Sequence, residues 1–225
     1  MNIKPTFNLM GLIRATHFGP TVLVVTISFV LARTQYSIPS ALEVALAVLA
    51  GQCVVGWSNE LVDFPRDQAA GRLKKPLVAG AVSQKTLQRG ICLALAAAGL
   101  LSYFGPLGIK GTLLHALGIL SATLYNLKLK QTILSPLPYI ISFGGMPFTL
   151  YYSNGKFPSI WLVLAFMLLA TAFHFLNVLK DLSWDIAQGV LGLPQRFGRN
   201  TSLAVAVILV LGGVLAATKF LLSTH

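Results

Sequence analysis

Carboxylates are scarce in this chain of 225 residues: Glu43, Glu60, Asp63, Asp67, Asp181 and Asp185 are the six it has. Four of the six stand in two copies of one pattern, Asn-x3-Asp-x3-Asp, at Asn59, Asp63 and Asp67 and again at Asn177, Asp181 and Asp185. The stretches 59–77 and 177–195 are identical at eight of nineteen positions, all at the offset 177 − 59 = 118. Beyond the Asn and Asp residues the matches are Leu61/Leu179, Ala69/Ala187, Gly71/Gly189, Leu73/Leu191 and Pro76/Pro194. On a helix, a step of four residues turns the chain by only about 40°, so each copy would stack its amide and two carboxylates along one face. Pro65 is expected to loosen the first copy between its two Asp residues.

If the two copies met, four carboxylates and two amides would crowd the low-dielectric edge of a membrane. Without a counterion they would repel one another, and some would protonate. Magnesium resolves the conflict, because it takes hard oxygen ligands and is commonly shared between one or two carboxylates and a phosphate-bearing substrate. A single copy could as well cap a helix or pair with neighbouring Lys and Arg. The duplication, with the same Gly and Pro downstream, favours a shared ligand.

The elements that must hold these residues are written in the hydropathy. With 55% apolar and 10% charged residues and a mean hydropathy of +0.75, the chain lacks the polar surface of a soluble globule. It reads as an all-α, polytopic membrane protein with a single membrane-embedded domain over residues 1–225. Crossing a bilayer takes roughly 20 apolar residues. Seven runs approach that length: Ala15–Ala32, Leu42–Trp57, Gly90–Ile109, Leu113–Leu127, Ile133–Tyr152, Ile160–Val178 and Thr201–Leu222. They are continuous and do not alternate as the strands of a membrane β-barrel would.

Thirteen of the seventeen basic residues fall on one side of this pattern, among them Lys4 and Arg14, the 66–89 group, Lys128, Lys130, Lys180, Arg196 and Arg199. The positive-inside rule then predicts a cytoplasmic N-terminus, both motifs at the cytoplasmic face of the cell membrane, and an outer C-terminus. The net charge of +11 is largely this topology signal and does not mark a nucleic-acid binder. The start of the chain has the pattern of neither a secretory signal nor a transit peptide. Cys53 and Cys92 lie in apolar runs without CxxC spacing and are expected to be small core residues. Gly105-Pro106, Ser135-Pro136, Pro138 and Gly144-Gly145 are expected to end or kink helices.

The first Asn-x3-Asp-x3-Asp is followed by Gly71, Arg72, Lys75-Pro76-Leu77 and Gly80. The second precedes Gly189, Leu193-Pro194 and Arg196-Phe197-Gly198. Together they resemble the UbiA-type membrane prenyltransferase superfamily, from about Arg14 to Arg199. The resemblance implies that Asn59, Asp63, Asp67, Asn177, Asp181 and Asp185 bind Mg²⁺ and the diphosphate of an isoprenoid donor, with the four Asp residues as the catalytic centre. Tyr125, Lys128 and Lys130 stand where the family carries a Tyr and basic residues. Arg66, Arg72, Lys75, Lys128 and Lys130 are the candidate diphosphate clamps. Tyr125 is the candidate for stabilising an allylic cation through its ring face. His174, one turn before Asn177, is placed to line the same mouth. Arg14, with His17 beside it, stands where relatives carry basic residues near the acceptor.

Two features depart from the family. Relatives commonly have nine helices, whereas one apolar run follows the second motif here; the expectation is a cavity wall left open or completed by another subunit, which keeps homo-oligomerisation in view. Lys75 stands where many relatives have Arg, replacing a planar fork by a point charge. The implied activity is transfer of a prenyl group from a polyprenyl diphosphate to a small acceptor within the bilayer, with an aromatic quinone precursor as the first expectation. The alternatives are a non-aromatic lipid or phosphosugar acceptor, a transporter or binder of a Mg-complexed phosphorylated metabolite, and a family member acting as a subunit without catalysis.

Overall fold

The computed structural model describes residues 8–223. Lys4, assigned above to the cytoplasmic flank, and the terminal His225 lie outside them. The described residues form an all-helical protein in two compact units that divide after Gly108.

The first unit holds α1 (Leu9–Ala15), α2 (Phe18–Ala32), α3 (Ile38–Ala69) and α4 (Gln84–Phe104). The run expected as one span from Ala15 to Ala32 is instead the second arm of a bent pair, with α1 and α2 meeting at 70°. The bend sits at His17, whose φ of 59° is the one left-handed value among the described non-glycine residues. Two hydroxyls hold it: Thr16 donates to the Ile13 carbonyl at 2.7 Å, and Thr21 donates to the Thr16 carbonyl at 2.7 Å. The bend presses on α3 at Gly56, where an added Cβ would lie 2.5 Å from the Thr16 carbonyl oxygen. Trp57 fixes the same contact by donating its indole N–H to the Leu12 carbonyl at 3.1 Å. Ala15, Leu77, Val82 and Leu87 make the buried cluster under this corner, with Leu12, Trp57, Leu61 and Phe64 packed on it.

Gly56→Leu is therefore expected to drive the bend off α3. Overpacking of this kind costs about 1–3 kcal/mol, which a lowered thermal midpoint in detergent would register. An unchanged thermal midpoint would mean that the close approach is dispensable.

The second unit holds α5 (Gly108–Leu127), a 3₁₀ turn (Leu129–Gln131), α6 (Leu137–Ser153), α7 (Ile160–Leu179), α8 (Leu182–Ala187) and α9 (Leu193–Ser223). Helix α9 carries a break at Gly198, where φ is 73°. The expected breaks at Gly105-Pro106 and Ser135-Pro136 coincide with helix ends. Gly144 and Gly145 do not break α6: a Cβ on Gly144 would lie 2.5 Å from Met167 Cγ, so that glycine lets α7 approach.

Each apolar run of the sequence falls on a helix. Four helices, α3, α4, α7 and α9, are long and apolar enough to cross a membrane, and α1 with α2 makes five if the bent pair is one span. Helix α6 has only 17 residues, and α5 is diluted by Lys110, His115, Asn126 and three glycines. The protein is an integral membrane protein, which explains why so many Leu, Ile and Phe side chains of these helices stand outside the protein interior. Cys92 belongs to that outer surface and is not a core residue; Cys53 is half-buried.

Candidate functional site

The first motif is built on the last turns of α3, and the helix runs through Pro65 unbroken to Ala69. Asn59, Asp63 and Asp67 therefore follow one another along a single helix at one-turn intervals. The expected loosening at Pro65 does not occur: the ring is on an exposed face, and the helix gives up only the bond that the missing N–H would have made. Helix α3 stops at Gly71, whose φ is 62°. There the Gly71 N–H donates to the Gln68 carbonyl and the Arg72 N–H to the Asp67 carbonyl, both at 3.0 Å. This is a Schellman turn, which needs a left-handed residue after the C-cap and so favours glycine. It folds Arg72 back over the last turn of the helix.

The consequence is a set of ion pairs. Arg72 lies 3.3 Å from Asp67 and Arg66 3.4 Å from Asp63. Lys75 reaches both Asp67 and Glu60, at 3.4 Å each. The carboxylates are the buried members: Asp63 is 7%, Asp67 1% and Glu60 2% exposed. Glu60 also accepts the Leu77 N–H at 3.1 Å. Asn59 turns its amide nitrogen to His17 Nε2 at 3.0 Å, which joins the motif to the bend between α1 and α2. A cavity of about 660 Å³ opens beside this cluster, lined among others by Asn8, Arg14, His17, Glu60, Lys74 and Lys75. Of the residues singled out in the sequence, Arg14 and Lys75 thus share one cavity wall. His17, singled out with Arg14, lies on the same wall, and Glu60 emerges as a site residue whose signal in the sequence is its adjacency to Asn59.

The second motif is built differently. Asn177 is in α7, which ends at Leu179, and Asp181 stands at the N-cap position of α8, which carries Asp185. The expectation of one continuous helix under each copy therefore fails for the second. The Lys180 and Asp181 N–H groups bond three residues back, to Asn177 and Val178, and Lys180 Nζ donates to Asn177 Oδ1 at 3.3 Å, so α7 closes tightly and α8 restarts. Asp181 and Asp185 remain one turn apart, with the Asp185 N–H on the Asp181 carbonyl at 2.8 Å. Gly189, with φ 74°, then repeats the turn of Gly71: its N–H donates to Ile186 and that of Val190 to Asp185. Gly80 and Gly198, also 118 apart (198 − 80), both take left-handed φ values, 69° and 73°. The backbone thus repeats what the sequence repeats, except at the break in α7.

Gln195 is a residue the sequence reading passed over. It is buried, and it donates to Asp185 Oδ2 at 2.9 Å. Its turn is tied down by Ser135, whose hydroxyl oxygen accepts the Leu193 N–H at 3.0 Å and meets His174 Nε2 at 3.2 Å. His174 is buried against Tyr139 and Tyr125, with ring centroids at 4.6 and 5.7 Å, so Tyr125 and His174, both singled out in the sequence, come together in one aromatic group. Lys128 is exposed, whereas Lys130 is buried in the middle of the 3₁₀ turn.

Among the described residues no group of three or more His, Cys, Asp or Glu side chains is gathered closely enough to hold a metal ion. The residues nevertheless fit an ion shared with a phosphate: Asp63 and Asp67 offer hard oxygens one turn apart, and Mg²⁺ usually takes only one or two protein carboxylates and completes its shell with phosphate and water. Arg66, Arg72 and Lys75 at the same place supply the N–H donors that an oxyanion needs.

The family model of the UbiA prenyltransferase family matches residues 20–225, and the chain belongs to that family. No curated protein matches it. Its fold is similar to that of a UbiA homologue from Archaeoglobus fulgidus bound to GPP and Mg²⁺, with a TM-score of 0.82 at 16% identity over 96% of this chain and 79% of that one. A UbiA homologue from Archaeoglobus fulgidus bound to DMAPP and Mg²⁺ gives 0.81 at 17% identity over 95% and 78%. The apo form of a UbiA homologue from Aeropyrum pernix K1 gives 0.70 at 20% identity over 94% and 78%.

Proposed function

We propose that the protein is a Mg²⁺-dependent membrane prenyltransferase, moving the prenyl group of a polyprenyl diphosphate to a small acceptor, an aromatic quinone precursor in the first instance. The observation that carries this reading is the pairing at the first motif, where buried metal-ligand oxygens and anion-binding cations occupy one place. Family membership supports it, as do relatives of the same fold bound to GPP or DMAPP with Mg²⁺.

In this reading Asn59, Asp63 and Asp67 of the first motif and Asp181 and Asp185 of the second supply metal-ligand oxygens shared with the diphosphate, and Asn177 binds the diphosphate. When bound, Mg²⁺ supplies positive charge where the diphosphate oxygens become more negative. Arg66, Arg72, Lys75, Lys128 and Lys130 hold the diphosphate. As the C–O bond breaks, the electron pair stays with the departing diphosphate, and fixed cations around it lower the barrier. The allylic carbon left behind is shielded from water by apolar helices, and ring faces such as Tyr125, with His174 beside it, stabilise its charge. The acceptor's electron-rich atom then bonds to that carbon and loses its proton. Arg14, on the cavity wall, binds the acceptor's polar end. The seven apolar runs all cross the cell membrane, with the N-terminus and both motifs in the cytoplasm.

Purified protein incubated with Mg²⁺, a labelled prenyl diphosphate and a membrane extract should release diphosphate and transfer label to a lipid, which mass spectrometry then identifies. Donor binding without any labelled product would overturn the transferase reading.

A further inference from the structure

The two copies of the motif differ in a patterned way. At the offset of 118, Arg66, Arg72 and Lys75 correspond to Trp184, Val190 and Leu193, and Glu60 corresponds to Val178. These three cations, Lys74 beside them (Gly192 in the second copy) and the extra carboxylate are thus all absent from the equivalent positions of the second. Glu60 accompanies Lys75, and the structure puts them in contact at 3.4 Å.

Glu60 is 2% exposed, and both of its oxygens are engaged: Oε2 with Lys75 Nζ and Oε1 with the Leu77 N–H. It therefore anchors the 75–77 turn and holds the lysine from one side, while Asp67 holds it from the other at 3.4 Å. Counting the cluster, three carboxylates (Glu60, Asp63, Asp67) face three cations (Arg66, Arg72, Lys75), and the formal sum is zero. A neutral, internally paired cluster with buried carboxylates has little to offer a lone ion. Mg²⁺ arriving alone would strip Asp63 and Asp67 from their cations, and a diphosphate arriving alone would strip the cations from buried carboxylates. Either leaves charge unpaired in a poorly solvated place, which is strongly unfavourable. Arriving together they exchange partners, Mg²⁺ with the Asp residues and diphosphate with the Arg and Lys residues.

We propose that Glu60 is a positioning residue for Lys75: by balancing the lysine's charge and fixing its turn, it couples metal and diphosphate binding at the first motif, so that each requires the other. This rests on the transferase reading. Glu60 itself need touch neither ligand, and through Lys75 it sets both affinities.

The coupling is reciprocal, and Glu60→Gln tests it. The amide oxygen can still accept the Leu77 N–H, but the cluster gains one positive charge. At a separation of roughly 8 Å and an effective dielectric of 20–40, one charge changes the affinity of a unit-charged ligand by about five- to thirtyfold, and that of a multiply charged ion by more. Inorganic diphosphate measured calorimetrically in EDTA should bind the variant more tightly than wild type by at least about fivefold, and Mg²⁺ alone should bind more weakly. Because Lys75 is then held by Asp67 alone, turnover of a prenyl diphosphate should fall even though the diphosphate binds more tightly. A merely structural role would lower both affinities together.

Lys75→Gln should reverse the signs, weakening diphosphate and strengthening Mg²⁺ alone, and serves if Glu60→Gln does not fold. Parallel loss of both affinities in the folded variants, or no change in either, would overturn the proposal. Failure of wild-type protein to bind diphosphate in the presence of Mg²⁺ would instead remove the transferase reading, and the proposal with it.

Discussion

Asp63→Asn and Asp181→Asn should each lower the turnover of a prenyl diphosphate by about 10²-fold or more, the loss typical of a group that stabilises charge in a transition state. Asparagine keeps the shape and one oxygen of aspartate and removes the charge, so the test isolates electrostatics. At the first motif the change leaves Arg66 without its partner at 3.4 Å. At the second, the Asp181 carbonyl that accepts the Asp185 N–H is backbone and survives the substitution. Both proteins should remain folded by circular dichroism, with the thermal midpoint falling more for Asp63→Asn because Asp63 is the buried one. If turnover and the specificity constant fall together in both, each copy acts on the departing diphosphate. Near-wild-type turnover from either variant would make that copy a remnant of duplication with no part in the chemistry.

The parts of this architecture that local chemistry dictates were legible in the sequence, and the parts set by distant contacts were not. Apolar runs mark helices because length and hydropathy alone decide them. Gly71 and Gly189, visible as repeat positions, turn out to share one backbone need, a left-handed residue after a helix end. Pro65 misled because a proline's effect depends on whether the helix around it is otherwise held; here the turn at Gly71 and the ion pairs of Arg66 and Arg72 hold it. The break at Lys180 and Asp181 has no proline or glycine to announce it. The bend at His17 is fixed by Gly56, Trp57 and Asn59, more than thirty residues along the chain, and Gln195 finds Asp185 only because Ser135, 58 residues before Leu193, pins its turn. Glu60 is hidden for a different reason: within the repeated stretch it is not one of the matching positions, and its role depends on Lys75, fifteen residues on and likewise unmatched in the second copy.

Removal of divalent metal should produce the other large effect. In EDTA, binding of a prenyl diphosphate to the wild-type protein should weaken by at least about 10²-fold, equivalent to roughly 3 kcal/mol, and added Mg²⁺ should restore it. The reason lies in what the cations are doing before the donor arrives. Arg66, Arg72 and Lys75 are engaged by Asp63, Asp67 and Glu60, all of them buried. A diphosphate can recruit those cations only by leaving the carboxylates unpaired, and an uncompensated buried charge costs several kcal/mol. A divalent cation entering with the diphosphate takes over the Asp oxygens, so no charge is left alone and the diphosphate is attracted by the ion as well. Equilibrium binding of a labelled donor across a Mg²⁺ titration measures this directly, and stability measured in parallel shows whether EDTA acts on the fold. Undiminished donor affinity in EDTA would show that the basic residues bind diphosphate without a shared metal, and the Asp residues of the first motif would then be partners for Arg and Lys alone.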